Sequence, residues 1–145
     1  MSKKAKDLDK FYTHPDIAKT FVDKINEMFP LNQYDMVIEP SAGSGNILQY
    51  LPTNSIGLDL EPEGDNIVKQ DFFKYDPGYH PLINNIRIAA VGNPPFGRQS
   101  SIARKFIKHI CSCNKTRSIS FILPKSFKKD ASFLSLPRAQ SGQGF

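Results

Sequence analysis

The sequence predicts an α/β fold with a doubly wound, mainly parallel sheet of the Rossmann-like kind. Apolar runs of strand length occur five times, at 36–38, 55–60, 67–68, 86–91 and 118–123. Helix-like segments alternate with them, an order typical of parallel sheets. Polar or glycine-rich motifs follow four of these runs. Because ligands of such sheets bind beyond the carboxyl ends of the strands, the motifs predict a site there.

Three helices are expected between or before the strands. The first covers 15–29, where apolar residues recur at helical spacing, Thr13 is the expected cap and Pro30 ends the helix. The second covers 46–51, and the third, with the stronger pattern, covers 100–113.

Length and composition predict one domain in a soluble, intracellular protein of the cytoplasm or the nucleus or nucleoid. The chain has 145 residues, a size typical of a single domain. Residues 1–10 are charged, and no run approaches the roughly 18 apolar residues of a membrane span. Cys111 and Cys113 have C-S-C spacing and the three histidines are scattered, so we expect reduced thiols and no metal.

Charge is distributed unevenly along the chain. Residues 1–96 carry 9 Lys or Arg against 13 Asp or Glu, whereas residues 97–145 carry 10 against 1. A basic half favours a nucleic-acid partner, because phosphate contacts supply most non-specific affinity. A solvated basic helix face is the simpler alternative.

A glycine-rich loop follows the first strand. Gly43 and Gly45 allow a tight turn and a close approach of the backbone to a ligand. Leu48 stands where a dinucleotide-binding loop has its third glycine, which disfavours a nicotinamide-dependent oxidoreductase. Glu39 at the start of the loop would repel a phosphate and would suit an ammonium or sulfonium group.

Two further acids extend this pattern. Asp59 lies 20 residues after Glu39, at the end of the next strand, where a carboxylate can accept from both ribose hydroxyls. Asp71 follows the third strand and suits an adenine amino group, with Phe72 against the ring. Each acid alone is more often a surface charge or a cap, but together they predict a nucleoside pocket.

The segment Asn93-Pro94-Pro95-Phe96 follows the fourth strand. The Asn93 side-chain oxygen and the Pro94 carbonyl are two acceptors suited to an exocyclic amine. Pro94 and Pro95 fix φ and remove two backbone donors, and Phe96 offers a face on which an extruded base can stack. An ordinary proline-rich turn is the alternative.

Six motifs together carry a resemblance to a known family. They are F-Y-T-H-P at 11–15, E-P-S-A-G-S-G at 39–45, G-L-D-L-E-P at 57–62, Q-D-F-F at 70–73, G-N-P-P-F-G at 92–97 and F-I-L-P-K-S-F at 121–127. In this order they resemble those of S-adenosylmethionine-dependent adenine-N6 methyltransferases of the restriction-modification and phage type. The resemblance implies a class I methyltransferase fold and methyl transfer to adenine in nucleic acid, with DNA favoured over RNA.

The resemblance also implies roles for individual residues. Asn93, Pro94, Pro95 and Phe96 would form the catalytic segment. S-adenosylmethionine would be the cofactor, held at its methionine end, ribose and adenine by Phe11, Tyr12, Thr13, Glu39, Ala42, Gly43, Gly45, Asp59, Asp71 and Phe72. No metal is implied.

The end of the chain departs from the family. We expect a catalytic domain at 1–129 and an irregular or disordered tail at 130–145, without the antiparallel hairpin that usually completes the family's seven-stranded sheet. The open sheet edge would then favour self-association or a partner subunit. Two alternatives stay open: a non-catalytic or partner-dependent subunit that binds cofactor or nucleic acid, and an enzyme that methylates protein glutamine amides.

Overall fold

The computed structural model describes residues 13–77 and 85–129, and in them five strands form one sheet with only parallel pairings. The strands are β1 (Met36–Glu39), β2 (Ser55–Asp59), β3 (Ile67–Lys69), β4 (Ile88–Gly92) and β5 (Thr116–Phe121). Their order is β3-β2-β1-β4-β5. The α/β class and the parallel sheet are therefore confirmed. The order reverses between β1 and β4, as in Rossmann-like sheets.

In the described part of the chain, two α-helices pack on opposite faces of the sheet. They are α1 (Pro15–Met28) and α2 (Ser101–Cys111). Val37 and Ala89 pack in the cluster that contains the buried face of α1, whereas Ile38 and Ala90 pack in the cluster with Phe106 of α2. Successive strand residues point to opposite faces, so both faces of β1 and β4 are buried.

The helix predicted at 46–51 is wrong. The segment forms one 3-10 turn, Leu48–Tyr50, in which Tyr50 N donates to Ile47 O at 3.0 Å. Gly45 has φ +88°, and Pro52 has no N–H to donate. Tyr50 N and Leu51 N donate to carbonyl oxygens three residues back, so the segment has 3-10 rather than α-helical spacing.

The predicted cap of α1 is also wrong. His14 caps the helix, because its Nδ1 accepts from Asp16 N at 3.2 Å. The Thr13 hydroxyl contacts Asn93 instead.

The last described segment packs on α2. Phe127, in the 3-10 helix Lys125–Lys129, is buried against Ala103 and Ile107. The predicted tail at 130–145 lies outside the described residues, as does any closing hairpin within it. Neither helix of the described part is long and apolar enough to cross a membrane.

Candidate functional site

A cleft opens where the strand order reverses, beyond the carboxyl ends of β1 and β4. It holds about 360 Å³ of empty space, a volume that includes its open mouth. Its walls come from the N-terminal segment, the glycine loop and the segment after β4, and are formed by Thr13, Glu39, Ser41, Ala42, Gly43, Ser44, Asn46, Ile47, Asn93 and Pro95. Six of these residues were predicted site residues. Ser41, Ser44, Asn46 and Ile47 were not singled out, although their places in the loop after β1 could have suggested them.

Glu39 is a buried carboxyl group in this cleft. It is the last residue of β1, and only 2% of its surface is exposed. Its Oε1 is buried and has no hydrogen-bond partner among the described residues. Burial, with a smaller contribution from the charge of Asp59, raises the pKa of Glu39 well above its usual 4.5. A cationic group placed beside it would favour the ionised form.

The glycine loop is held by hydrogen bonds to the end of β2 and to the loop that follows it. Ala42 N donates to Leu58 O at 2.8 Å, and Gly43 O accepts from Glu63 N at 3.0 Å. Gly43 has φ +60°, a left-handed conformation that glycine adopts readily. The backbone of the loop is therefore shaped by the chain itself.

Asp59 takes part in the same arrangement. It ends β2, is 4% exposed, and accepts from Gly43 N through Oδ2 and from Glu61 N through Oδ1, both at 2.8 Å. Asp59 thus shapes the glycine loop, a structural role that the spacing of the acids did not indicate.

In the motif that follows β3, Asp71 caps a 3-10 turn and the two phenylalanine rings differ in exposure. Asp71 Oδ1 accepts from Phe73 N at 3.0 Å and caps the 3-10 turn Phe72–Lys74. The Phe72 ring is 3% exposed and stacks on Phe106 in the core, with ring centroids 5.5 Å apart. Phe73 is 42% exposed. Of the two adjacent phenylalanines, Phe73 is the one with an accessible ring.

The segment after β4 is attached to both helices' N-terminal regions. Asn93 Nδ2 donates to Thr13 Oγ1 at 3.0 Å, just before α1. Pro94 is buried, whereas Pro95 and Phe96 are partly exposed. The Phe96 carbonyl accepts from Ile102 N at 3.1 Å and Ala103 N at 3.3 Å, at the start of α2.

A strained turn joins this segment to α2. Gly97 has φ 71° and ψ 179°, a conformation essentially restricted to glycine. A Cβ added there would lie 2.5 Å from Ile102 Cγ1. Gln99 and Ser100 follow with φ 54° and φ 60°.

The basic side chains that follow this turn include exposed ones. Among the described residues after 97, the exposed cations are Arg98, Lys105, Lys108, Arg117 and Lys125. They belong to α2 and to the segments on either side of it.

Phe11 and Tyr12 lie outside the described residues. Within the described ranges, no group of three or more His, Cys, Asp or Glu side chains is placed to hold a metal ion. No protein-family model matches the chain, and no curated protein matches it either.

Proposed function

We propose that this chain transfers a methyl group from S-adenosylmethionine to the N6 amine of adenine in nucleic acid, with DNA favoured over RNA. One observation carries the proposal: a single cleft is lined both by Glu39 with its glycine loop and by Asn93 with Pro95. A cofactor and an amine acceptor bound in it would therefore be neighbours. The parallel, Rossmann-like sheet would correspond to a class I methyltransferase core.

The cofactor would lie on the β1 and β2 side of the cleft. The buried Glu39 carboxyl fits the ammonium or sulfonium charge of the methionine end, because a cation compensates the cost of ionising a buried carboxylate. Ala42, Gly43 and Gly45 would face that end, Asp59 the ribose and Asp71 the adenine. Phe73, rather than the core residue Phe72, supplies the accessible ring. When bound, the cofactor supplies an electrophilic methyl group.

The target amine would lie on the β4 side. The Asn93 side-chain oxygen and the Pro94 carbonyl would accept from the two N–H bonds and orient the nitrogen lone pair toward the methyl group. An adenine inside a duplex must leave the stack to reach such a cleft, and Phe96 would then support its ring. No deprotonating base is needed before transfer, because the N6 lone pair would form the new N–C bond as the methyl–sulfur bond breaks. The methylated amine would then release one proton to solvent. The exposed cations around α2 would contact phosphates.

The test is transfer of labelled methyl from S-adenosylmethionine to unmethylated DNA, to RNA and to a glutamine-rich protein mixture, with cofactor binding measured on the same preparation by calorimetry. Label recovered as N6-methyladenine from DNA or RNA supports the proposal. Label on a glutamine amide would mean that the substrate is a protein and not adenine in nucleic acid. Tight binding of the cofactor without transfer would identify a non-catalytic or partner-dependent subunit, and an absence of binding would overturn the pocket itself.

A further inference from the structure

We infer that Thr13 is a positioning residue that holds the Asn93 amide through its hydroxyl and joins the two sides of the cleft. This inference rests on the proposed function, because it gives Thr13 a role in presenting Asn93 to the target amine. The sequence motif suggested only that Thr13 contacts the cofactor.

Thr13 makes one hydrogen bond to each side of the cleft. Its carbonyl oxygen accepts from Asn46 Nδ2 at 2.6 Å, and its hydroxyl oxygen accepts from Asn93 Nδ2 at 3.0 Å. Asn46 belongs to the glycine loop, and Asn93 begins the segment after β4. Thr13 itself lines the cleft between them. The first bond fixes the backbone of Thr13, so the hydroxyl that contacts Asn93 has a defined place.

The orientation of an asparagine amide matters because its two ends have nearly the same shape and opposite chemistry. The oxygen accepts hydrogen bonds and the nitrogen donates them. An amine substrate needs the oxygen, whereas the NH2 end would place donor against donor. Rotation about χ2 is broad and roughly two-fold, so a local contact must select one orientation. The Thr13 hydroxyl accepts from Nδ2. A hydroxyl can also donate, but only the arrangement in which it accepts from Nδ2 leaves Oδ1 to accept from the substrate. Thr13 and the substrate would therefore hold the amide in that orientation together.

Two substitutions separate this role from simple packing. Thr13→Val keeps the branched shape and removes the hydroxyl, whereas Thr13→Ser keeps the hydroxyl and removes a methyl group. Thr20→Val is the matched control, because the Thr20 hydroxyl donates to Asp16 O at 3.0 Å on the exposed side of α1 and lies away from the cleft.

We expect Thr13→Val to lower kcat at saturating cofactor and DNA by about 3–10-fold, the rate equivalent of one neutral hydrogen bond. Thr13→Ser should recover most of this loss, and Thr20→Val should leave kcat unchanged. A Thr13→Val enzyme with normal kcat and a raised KM for the cofactor would overturn the inference, because Thr13 would then be a cofactor contact alone.

A second readout does not depend on methyl transfer. In protein labelled with ¹⁵N at asparagine, the Asn93 side-chain NH2 signals are identified by their loss in Asn93→Ser. We expect these signals to exchange slowly with solvent in the wild type and in Thr13→Ser, and to shift and exchange faster in Thr13→Val. Unchanged NH2 signals in Thr13→Val would overturn the inference. If slow exchange is seen but no methyl is transferred, the proposed function fails while the contact stands.

Discussion

The two sides of the cleft are built differently. On the side of β1 and β2, the loop of Ala42 and Gly43 is fixed by hydrogen bonds to the end of β2, and Asp59 accepts from backbone donors on both of its neighbouring loops. On the side of β4, the segment from Asn93 to Ser100 is held through Thr13 and through the Phe96 carbonyl, and it contains three residues with positive φ.

Under the proposed function, this difference fits two different ligands. A loop held by its own chain is preorganised for a small molecule, because little ordering remains to be done on binding. Residues other than glycine that are held at positive φ cost about 1–3 kcal/mol each, and they cluster at binding and switch segments. Under the proposed function, such a segment suits the larger substrate, which must enter the cleft and then be held there. The comparison predicts that substitutions on the first side change cofactor affinity, whereas those on the second change transfer.

The largest effect is expected for Asn93→Ala. Loss of the side-chain acceptor should lower kcat by about 10²–10³-fold, the range found when one group that stabilises a transition state is removed. Cofactor affinity should stay nearly the same in calorimetry. Asn114→Ala, at an exposed position after α2, is the control. Equal losses of transfer and cofactor affinity in Asn93→Ala would mean that Asn93 is structural and that the two sides are not separable.

Glu39→Gln should instead change cofactor affinity. Removing a charge that hydrogen-bonds to a ligand cation costs roughly 1.5–3 kcal/mol, so cofactor affinity should fall about 10–100-fold. The exposed Glu27, which pairs with Lys24 on α1, gives the control Glu27→Gln. Unchanged cofactor affinity in Glu39→Gln would remove Glu39 from the site.

Glu39 also makes stability depend on pH. Its pKa is raised above 4.5 in the folded protein, so above that pH the folded state keeps a proton that the unfolded state releases. The free energy of unfolding therefore falls as pH rises toward the folded-state pKa. A glutamine at this position would not titrate, so Glu39→Gln should be more stable than the wild type above the folded-state pKa of Glu39. Below pH 4.5 the two proteins should have similar stability. The measurement is the free energy of unfolding of both proteins, from denaturant titrations at several pH values. If it changed with pH in the same way in both proteins, the raised pKa of Glu39 would be contradicted.

Asp59→Ala should loosen the glycine loop. Two backbone donors, Gly43 N and Glu61 N, lose their acceptor. The Gly43 contact is buried, and a buried donor left unsatisfied costs about 1–3 kcal/mol. We expect a lower free energy of unfolding together with weaker cofactor binding. Asp65→Ala, at an exposed position in the loop after β2, is the control. A cofactor affinity that survives Asp59→Ala would show that the loop holds its shape without this carboxylate.

Much of the fold follows from local pattern. The apolar runs at the five strands and the periodicity of α1 and α2 are strong signals, because burial on sheet faces and helix stripes demands them. Once the strands are placed, the polar motifs that directly follow them in the sequence must lie at the strand ends. This is why the sequence alone predicts Glu39 and Asn93 at one site, and both residues line the same cleft.

The misses have physical causes that sequence spacing does not show. Phe72 and Phe73 are adjacent and chemically identical, and both rings lie against Phe106, yet Phe72 is 3% exposed and Phe73 is 42% exposed. Threonine is a residue type that often caps helices, but the Thr13 hydroxyl accepts a hydrogen bond from Asn93, 80 residues further along the chain. Non-local hydrogen bonds of this kind leave no periodic trace.

The basic surface beyond Gly97 is tested by Lys105→Gln with Lys108→Gln. Both lysines are exposed on α2. If they bind phosphates, the slope of log affinity for DNA against log salt should become less steep by about 0.9 for each phosphate that is no longer neutralised. The control pair is Lys19→Gln with Lys24→Gln on α1, where both lysines are paired with acids. A slope that the α2 pair leaves unchanged would place the nucleic-acid surface elsewhere.

The smallest effect is expected in the strained turn. Gln99 has φ 54°, and a left-handed conformation costs a residue with a Cβ about 1–2 kcal/mol relative to the right-handed one. Gln99→Gly should therefore raise the free energy of unfolding by about 1 kcal/mol. Gln33→Gly, in a 3-10 turn without positive φ, should lower it by about 0.5–1 kcal/mol. If both changes destabilised the protein equally, the segment after β4 would hold no strain, and the contrast between the two sides of the cleft would depend on hydrogen bonding alone.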